Sequence, residues 1–541
     1  MSEDRYWRRG EPFVWLTGLG LAICVVLIVV LVGVIAVKGV TLFQQREVVE
    51  VTRTDGNRLL GEIVDREVIP SIDLPEDQRD EPRYRIQMKV GNRDVRGGED
   101  FLWLPESEIE SRREPLDAIK LERIEYGDFY GWLDSVKEGE RVLASGNDAW
   151  DRLHGLLERT REGIEAIRAV EDQIGEINHS IEQLRLQERR AAFHGEDVGF
   201  DEIQSQIGAL EQEYERLRVQ LDERVGSNRL WSATFVTADT GPKEMVVADI
   251  VRAIRPNAFG VWDHTTNALE QAWVFVAAEP RESNTEGGVF PAVFGTVMMV
   301  ILMSLFVVPF GVIAAIYLRE YAREGWLVRS VRIAVNNLAG IPSIVYGVFG
   351  LGFFIYILGG TIDQLFYPEL LPTPTWGTGG ILWASLTLAL LTVPVVIVST
   401  EEALAAVSRE MREGSLALGA TKIQTVVRVL LPCATPGILT GAILAMARGA
   451  GEVAPLMITG VVKLAPSLPI DGNFPFLHLD RQFMHLGFHI YDVGFQSPNV
   501  EAAKPMVFAT ALLLLLIVVG LNLAAIVMRN RLRRRYATSG T

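Results

Sequence analysis

Six predominantly apolar blocks of about twenty residues decide most of what this 541-residue chain can become. They run Val14–Val37, Val293–Leu318, Ile341–Leu358, Gly380–Thr400, Ala434–Gly460 and Val507–Met528. Each is near the ~20 residues that a helix needs to cross a hydrocarbon core. A segment that crosses must satisfy its backbone polar groups internally, which selects helix. The sequence therefore predicts an all-α polytopic membrane protein of about six transmembrane helices. The third block has the softest edges, because Asn336, Asn337, Pro342 and Gly350 lie at or within them. The first has no small-residue cleavage site before Lys38, so it reads as a retained anchor and not as a signal peptide.

Between the first two blocks the character changes. Residues 39–289 hold 31 Lys+Arg against 52 Asp+Glu, a balance of −21; the whole chain carries −16, so the remainder carries +5. That acidic balance argues against nucleic acid as a partner. The basic residues gather beside the spans: Arg5, Arg8 and Arg9 before the first, Arg319, Arg323, Arg329 and Arg332 after the second, Arg409, Arg412, Lys422 and Arg428 after the fourth, and Arg529, Arg531, Arg533, Arg534 and Arg535 after the sixth. The loop from Gly359 to Gly379 has none. By the positive-inside rule both termini and the loop at 401–433 are expected in the cytoplasm, and the acidic block outside. The expected organisation is a tail with the first helix at 1–38, an α+β extracytoplasmic insertion at 39–289 and a membrane domain at 290–541. The two cysteines, Cys24 and Cys433, fall in or beside spans, which leaves the insertion without a disulfide.

Inside the insertion, Glu47 to Gly127 alternates short apolar runs with turn-rich acidic stretches, the pattern of a small β-rich module. Leu153, Leu157, Ile164, Ile167, Ile174, Ile177, Ile181 and Leu184 then keep spacings of three, four and seven, and Ile203, Ile207, Leu210, Tyr214, Leu217, Leu221 and Val225 do the same. Glycines 195 and 199 separate the two runs. An antiparallel coiled-coil hairpin at about 141–226 is expected, each arm about 25 to 40 residues long.

Proline and glycine recur in the later spans, and in the fifth they form a pattern. Gly437, Gly441, Ala445 and Gly449 make a small-residue stripe at four-residue spacing, which lets another helix approach closely. Arg448 and Glu452 lie four apart on the same predicted span, hence on one helical face, at a depth where ionised groups are expensive. Two readings stay open for them: a self-neutralising pair that pins packing, or a patch lining the path of a charged solute. A guanidinium fork suits an oxyanion such as phosphate. His485, His489 and Asp492 could be read as metal ligands, but beside Phe483, Phe488 and Tyr491 an amphipathic surface helix is the expected account and no metal is assigned.

The stretch EGSLALGATKIQTVVRVLLP, Glu413 to Pro432, is too polar to cross a bilayer and reads as a short amphipathic helix, a turn and a second short helix closed by Pro432. It resembles the cytoplasmic coupling loop of ABC importer permeases, written E-A-A, three residues, Gly, nine residues, I-x-L-P. Glu413, Gly419, Leu431 and Pro432 fall in register, while Gly414 and Ser415 replace the alanines and Val429 the isoleucine. With ARGAGEVAPLMITG, EGGVFPAVFGT and NNLAGIPSIVYGVFGLGFF, the region Gly287 to Arg535 resembles the PstA-type permease subunit of the bacterial phosphate ABC importer; Val453 stands where that family usually has threonine.

The resemblance implies a permease subunit in the bacterial inner membrane, without covalent chemistry or cofactor. Its implied partners are a PstC-like sister permease, a cytoplasmic ATP-binding subunit dimer and an extracytoplasmic phosphate-binding protein. The acidic insertion departs from the compact family pattern, so its role is not inherited. Gly414 and Gly419 imitate the start of a P-loop, but Ala420 stands where its lysine must be, so the ATPase must be another chain. A permease for another oxyanion such as sulfate, molybdate or phosphonate is the nearest alternative. A membrane sensor signalling through its outside coiled coil is the alternative of another class.

Overall fold

The computed structural model describes residues 11–70, 82–97, 100–195, 199–497 and 500–537. Arg5, Arg8 and Arg9 lie outside the described residues, and so do the side chains of Arg533, Arg534 and Arg535. The chain divides into two compact units. One holds Met1–Leu42, Val289–Asp471 and Phe476–Thr541; the other holds Phe43–Gly288 and Gly472–Pro475.

Helix α1 (Glu11–Val40) opens the first unit and is apolar all round. A short 3-10 turn, Thr41–Phe43, follows it. The second unit then builds two large antiparallel sheets. β1 (Val48–Arg53), β2 (Arg58–Val68), β3 (Tyr84–Lys89), β4 (Phe101–Pro105) and β5 (Ile109–Arg113) pair in the order β4-β3-β2-β1-β5. β6 (Ile119–Arg123), β7 (Phe129–Glu138), β8 (Arg141–Ser145), β9 (Trp231–Val236), β10 (Pro242–Val246) and β11 (Ile250–Ile254) pair in the order β10-β9-β7-β6-β11, with β8 on β7. The β-rich character read at Glu47–Gly127 thus continues to Ile254, because β9 to β11 return after the helical segment to complete the second sheet.

That segment is an antiparallel helix pair, α2 (Asn147–His194) and α3 (Phe200–Asn228). Its root is part of the sheet's core, where Leu153, Leu156 and Leu157 pack with Phe129, Phe235 and Ala233. Further out Ile181, Ile203 and Ile207 bury one another, and Arg185 meets Glu211 at 3.0 Å. The first arm, at 48 residues, is longer than the spacing suggested, and 141–145 is strand β8 and not helix. Gly155 and Gly175 open onto free space and do not break the arm, while Gly163 lets the Asn228 side chain approach the α2 backbone. α4 (Val261–Ala277) follows, and a two-stranded antiparallel pair, Pro280–Arg281 with Glu286–Gly287, closes the unit.

The membrane unit resumes with α5 (Phe290–Tyr321), α6 (Trp326–Leu338), α7 (Ser343–Phe366), α8 (Ile381–Ala405), α9 (Arg409–Ala417), α10 (Lys422–Gly451), α11 (Leu486–Tyr491) and α12 (Val500–Ala537). Among the described residues six helices are long and apolar enough to cross a membrane: α1, α5, α7, α8, α10 and α12. α8 is the most enclosed; Leu388 and Val396 pack with Met299, Met303 and Val307 of α5 and Ala445 of α10. The third and fifth spans differ in extent from the sequence reading. The third span runs on to Phe366, wound more widely over Gly350–Gly359. The fifth begins at Lys422 and stops at Gly451, nine residues before Gly460.

Candidate functional site

The stretch around Gly419 forms a helical corner. Ser408 caps α9, its hydroxyl accepting from the Met411 N–H at 3.4 Å. Gly419 turns the chain with φ of +87°, a left-handed conformation that a Cβ disfavours. Nothing stands within 4 Å of where that Cβ would be, so the need for glycine is conformational and not steric. Thr421 then starts α10 with a capping box: its N–H donates to Gln424 Oε1 at 2.9 Å, and the Gln424 N–H donates to Thr421 Oγ1. Ser415 and Thr425 hydroxyls meet at 3.0 Å and tie the two legs together. Arg412 Nη2 donates to Glu320 Oε1 at 2.7 Å, fastening α9 to the end of α5. Glu413 points outward, and Met411, Leu416, Leu418 and Ile423 are exposed, Leu418 by 91%.

Leu431 and Pro432 sit elsewhere than expected. The sequence reading has Pro432 closing the second short helix; instead α10 continues through it without a break. Proline lacks an N–H, and its ring crowds the carbonyl four residues back. Here the turn Val426–Leu430 widens to a π-helix and the Leu431 N–H reaches Val426 O, five residues back, which makes room for the ring.

Further along α10 the small-residue stripe meets its neighbours. A Cβ at Gly441 would stand 2.6 Å from Ser399 Cβ, and Cβ atoms at Gly437 and Gly449 would run into Ala403 Cβ and Met303 Sδ; Ala445 is fully buried. The stripe is what brings α10 against α8 and α5. Arg448 lies in the last turn, and Glu452 is the first residue past the helix, extended at φ −84°, ψ 131°. The pair therefore does not share a helical face, as its spacing suggested. It still meets, with Arg448 Nε 3.7 Å from Glu452 Oε1, and the side chains are 33% and 22% exposed. After Glu452 the chain turns back: Pro455 lies against Gly347, where a Cβ would stand 2.7 Å from Pro455 Cα.

Residues 307–537 match the family model described as binding-protein-dependent transport system inner membrane component. The chain is 35% identical to the phosphate transport system permease protein PstA of Mycobacterium leprae, over 46% of this chain and 73% of that protein. It is 35% identical to PstA 1 of Mycobacterium tuberculosis strain CDC 1551 / Oshkosh, over 46% and 73%. This chain belongs to the PstA-type permease family. Among solved structures, the MetNI methionine ABC transporter in an inward-facing conformation is 22% identical, with a TM-score of 0.33 over 44% of this chain and 94% of that one.

The matched region of this PstA-type permease contains both the helical corner and the Arg448–Glu452 pair, while the acidic unit lies before it. The match also contains a polar cluster that the sequence reading misplaced. His485, His489 and Asp492 belong to no surface helix: all three are at least 98% buried. Leu486 N–H donates to Thr296 Oγ1 of α5 at 3.0 Å, and Asp492 pairs with Lys463 at 3.1 Å. Among the described residues no three His, Cys, Asp or Glu side chains gather closely enough to hold a metal ion. The signal that could have placed this segment inside was its poverty in charge: from Gln482 to Gln496 it has one acid and no Lys or Arg.

Proposed function

We propose that this chain is the transmembrane permease of an ABC importer that moves inorganic phosphate into the cell. The observation that carries the reading is its 35% identity to PstA phosphate permeases over nearly three quarters of their length. Its work is alternating access; ATP is hydrolysed by a separate subunit. The helical corner at Gly419 suits docking into a groove on a cytoplasmic ATP-binding subunit dimer, because it offers exposed apolar side chains on a frame braced by Arg412–Glu320 and Ser415–Thr425. Arg448 offers a partly exposed guanidinium to an oxyanion, and Glu452 holds it when no solute is bound. A PstC-like permease completes the pathway, and an extracytoplasmic phosphate-binding protein delivers the solute. Both termini are cytoplasmic, the unit at 43–288 is extracytoplasmic, and its helix pair works as a coiled-coil docking arm.

The test is the reconstituted complex with phosphate, sulfate, molybdate and a phosphonate compared side by side. Phosphate alone is expected to raise ATP hydrolysis and enter vesicles. Equal or greater stimulation by sulfate or molybdate transfers the assignment to that anion, and no response to any of them removes it.

A further inference from the structure

Helix α4 has two unlike faces. Its inner side is fixed to the second sheet: Gln271 Nε2 donates to Glu122 Oε1 at 2.7 Å, Asn267 accepts from Arg252, and Phe275 is buried. Its outer side is apolar and bare. Trp262, Leu269 and Trp273, seven and four residues apart and so on one stripe, are 81%, 68% and 71% exposed, and Val261 at the start is 83% exposed. Tryptophan is a large apolar surface to leave in water, and it is enriched where a bilayer meets water.

The chain indicates what covers this face. The Phe275 ring lies edge-on to Phe43, centroids 5.5 Å apart. Phe43 is three residues past Val40, the end of the first membrane-spanning helix. Three residues reach at most ~10 Å, and the headgroup layer on each side of the hydrocarbon core is ~5 to 8 Å thick. The last turn of α4 is thereby tethered at about headgroup depth, and thirteen residues after Ala277 the chain enters the next span at Phe290.

We propose that α4 lies in the lipid interface, with Trp262, Leu269 and Trp273 at the boundary of headgroups and acyl chains. The helix has no Lys or Arg between Val261 and Ala277, and its two acids are engaged elsewhere: Asp263 accepts from the Gly260 N–H and Glu270 pairs with Arg252. Its attachment therefore rests on apolar burial, in contrast with basic interfacial helices, whose binding follows anionic lipid.

The test uses the full chain reconstituted in phosphatidylcholine vesicles. In a background with Cys24 and Cys433 replaced by alanine, single cysteines at 262, 269 and 273 carry an environment-sensitive dye, and one at Val219, exposed on α3, serves as reference. Nitroxide-labelled lipid is expected to quench the three α4 sites at least ~3-fold more than the reference, and aqueous iodide the reverse, with no change on adding phosphatidylglycerol or salt. The unsubstituted chain provides a second reading, since a lipid with a photoreactive headgroup should crosslink within 261–277. Iodide quenching at α4 equal to that at Val219 overturns the proposal. So does protection that appears only when the sister permease or the binding protein is added, which would make the face a protein interface.

Discussion

Arg448 and Glu452 touch across a helix end, and the two readings of that contact separate on substitution. Arg448→Lys keeps the charge but loses the planar fork that holds an oxyanion. Uptake is expected to fall at least ~10-fold, the loss of one good charge-assisted contact, while thermal stability in detergent stays near the parent value. If the pair only pins packing, Arg448→Leu with Glu452→Leu restores both stability and uptake, because removing both charges is tolerated where removing one is not. Normal uptake by a stable double variant would take the pair out of the solute path. In the other unit, Glu286 offers a pH test. Burial, reinforced by the Asp128 carboxylate, pushes its carboxyl up to about 7. Burial would raise Asp128 as well, but Lys120 and Lys89, at 3.3 and 2.6 Å, overcome it and hold Asp128 well below the usual range. The raised Glu286 holds its proton when folded, so its contribution is full below the unfolded value near 4.5 and is lost as pH rises through about 7. Asp128 loses its contribution only in acid, outside that window. Corrected for the intrinsic pH dependence of amide exchange, the protection of residues 43–288 in the full chain is expected to fall from pH 5 to pH 8, by no more than the order of 3 kcal/mol, and Glu286→Gln should flatten the trend.

At the scale of elements, apolar runs announced all six spans, because length and hydropathy suffice to require a helix. The ends were harder. Pro432 reads as a stop, yet the widened turn before it carries the helix through, and a π turn leaves no mark in residue spacing. His485 and His489 read as surface because Phe483, Phe488 and Tyr491 beside them suggested an amphipathic helix, while the Thr296 hydroxyl and Lys463, which accompany the segment inside, come from distant parts of the chain. The stripe from Gly437 to Gly449 was legible as close packing, though which helices it meets was not. Gly419 gives an element-level test. Because open space surrounds it, substitutions should rank by left-handed propensity, with Asn mild and Val severe, costing ~1 to 2 kcal/mol at the turn. Co-purification of the ATPase subunit measures this, and equal yields for Asn and Val would refute a conformational role. The helix pair gives another. Excising it from its root would strip Leu153, Leu156 and Leu157 from the sheet's core, so the informative cut joins Ile167 to Asp222 through a short Gly-Ser link. The shortened chain is expected to insert normally and to lose binding-protein affinity; unchanged half-saturation for phosphate would mean the arm does not dock that protein.

For the whole molecule, the acidic character of 39–289 marked a region apart from the spans, and the structure gathers Phe43–Gly288 into one compact unit. Its two-sheet arrangement was not legible, because β9 and β11 lie more than eighty residues beyond β7 and β6, which they join, across the helix pair. The arginine distribution supports one test at this scale: a reporter fused near Ala192 should be active only outside the cytoplasm, and one after Arg535 only inside. The reverse pattern would also move the Gly419 corner away from any cytoplasmic ATPase. That corner and Arg448 are two ends of one object, since α10 runs unbroken for 30 residues, ~45 Å at 1.5 Å per residue. A rod held that way cannot report in one direction only. If bound anion favours one tilt of α10, the same free energy must appear as a changed affinity between the corner and its nucleotide-loaded partner, and conversely. Solute-stimulated hydrolysis and nucleotide-dependent anion affinity would then be a single quantity measured from opposite sides of the membrane.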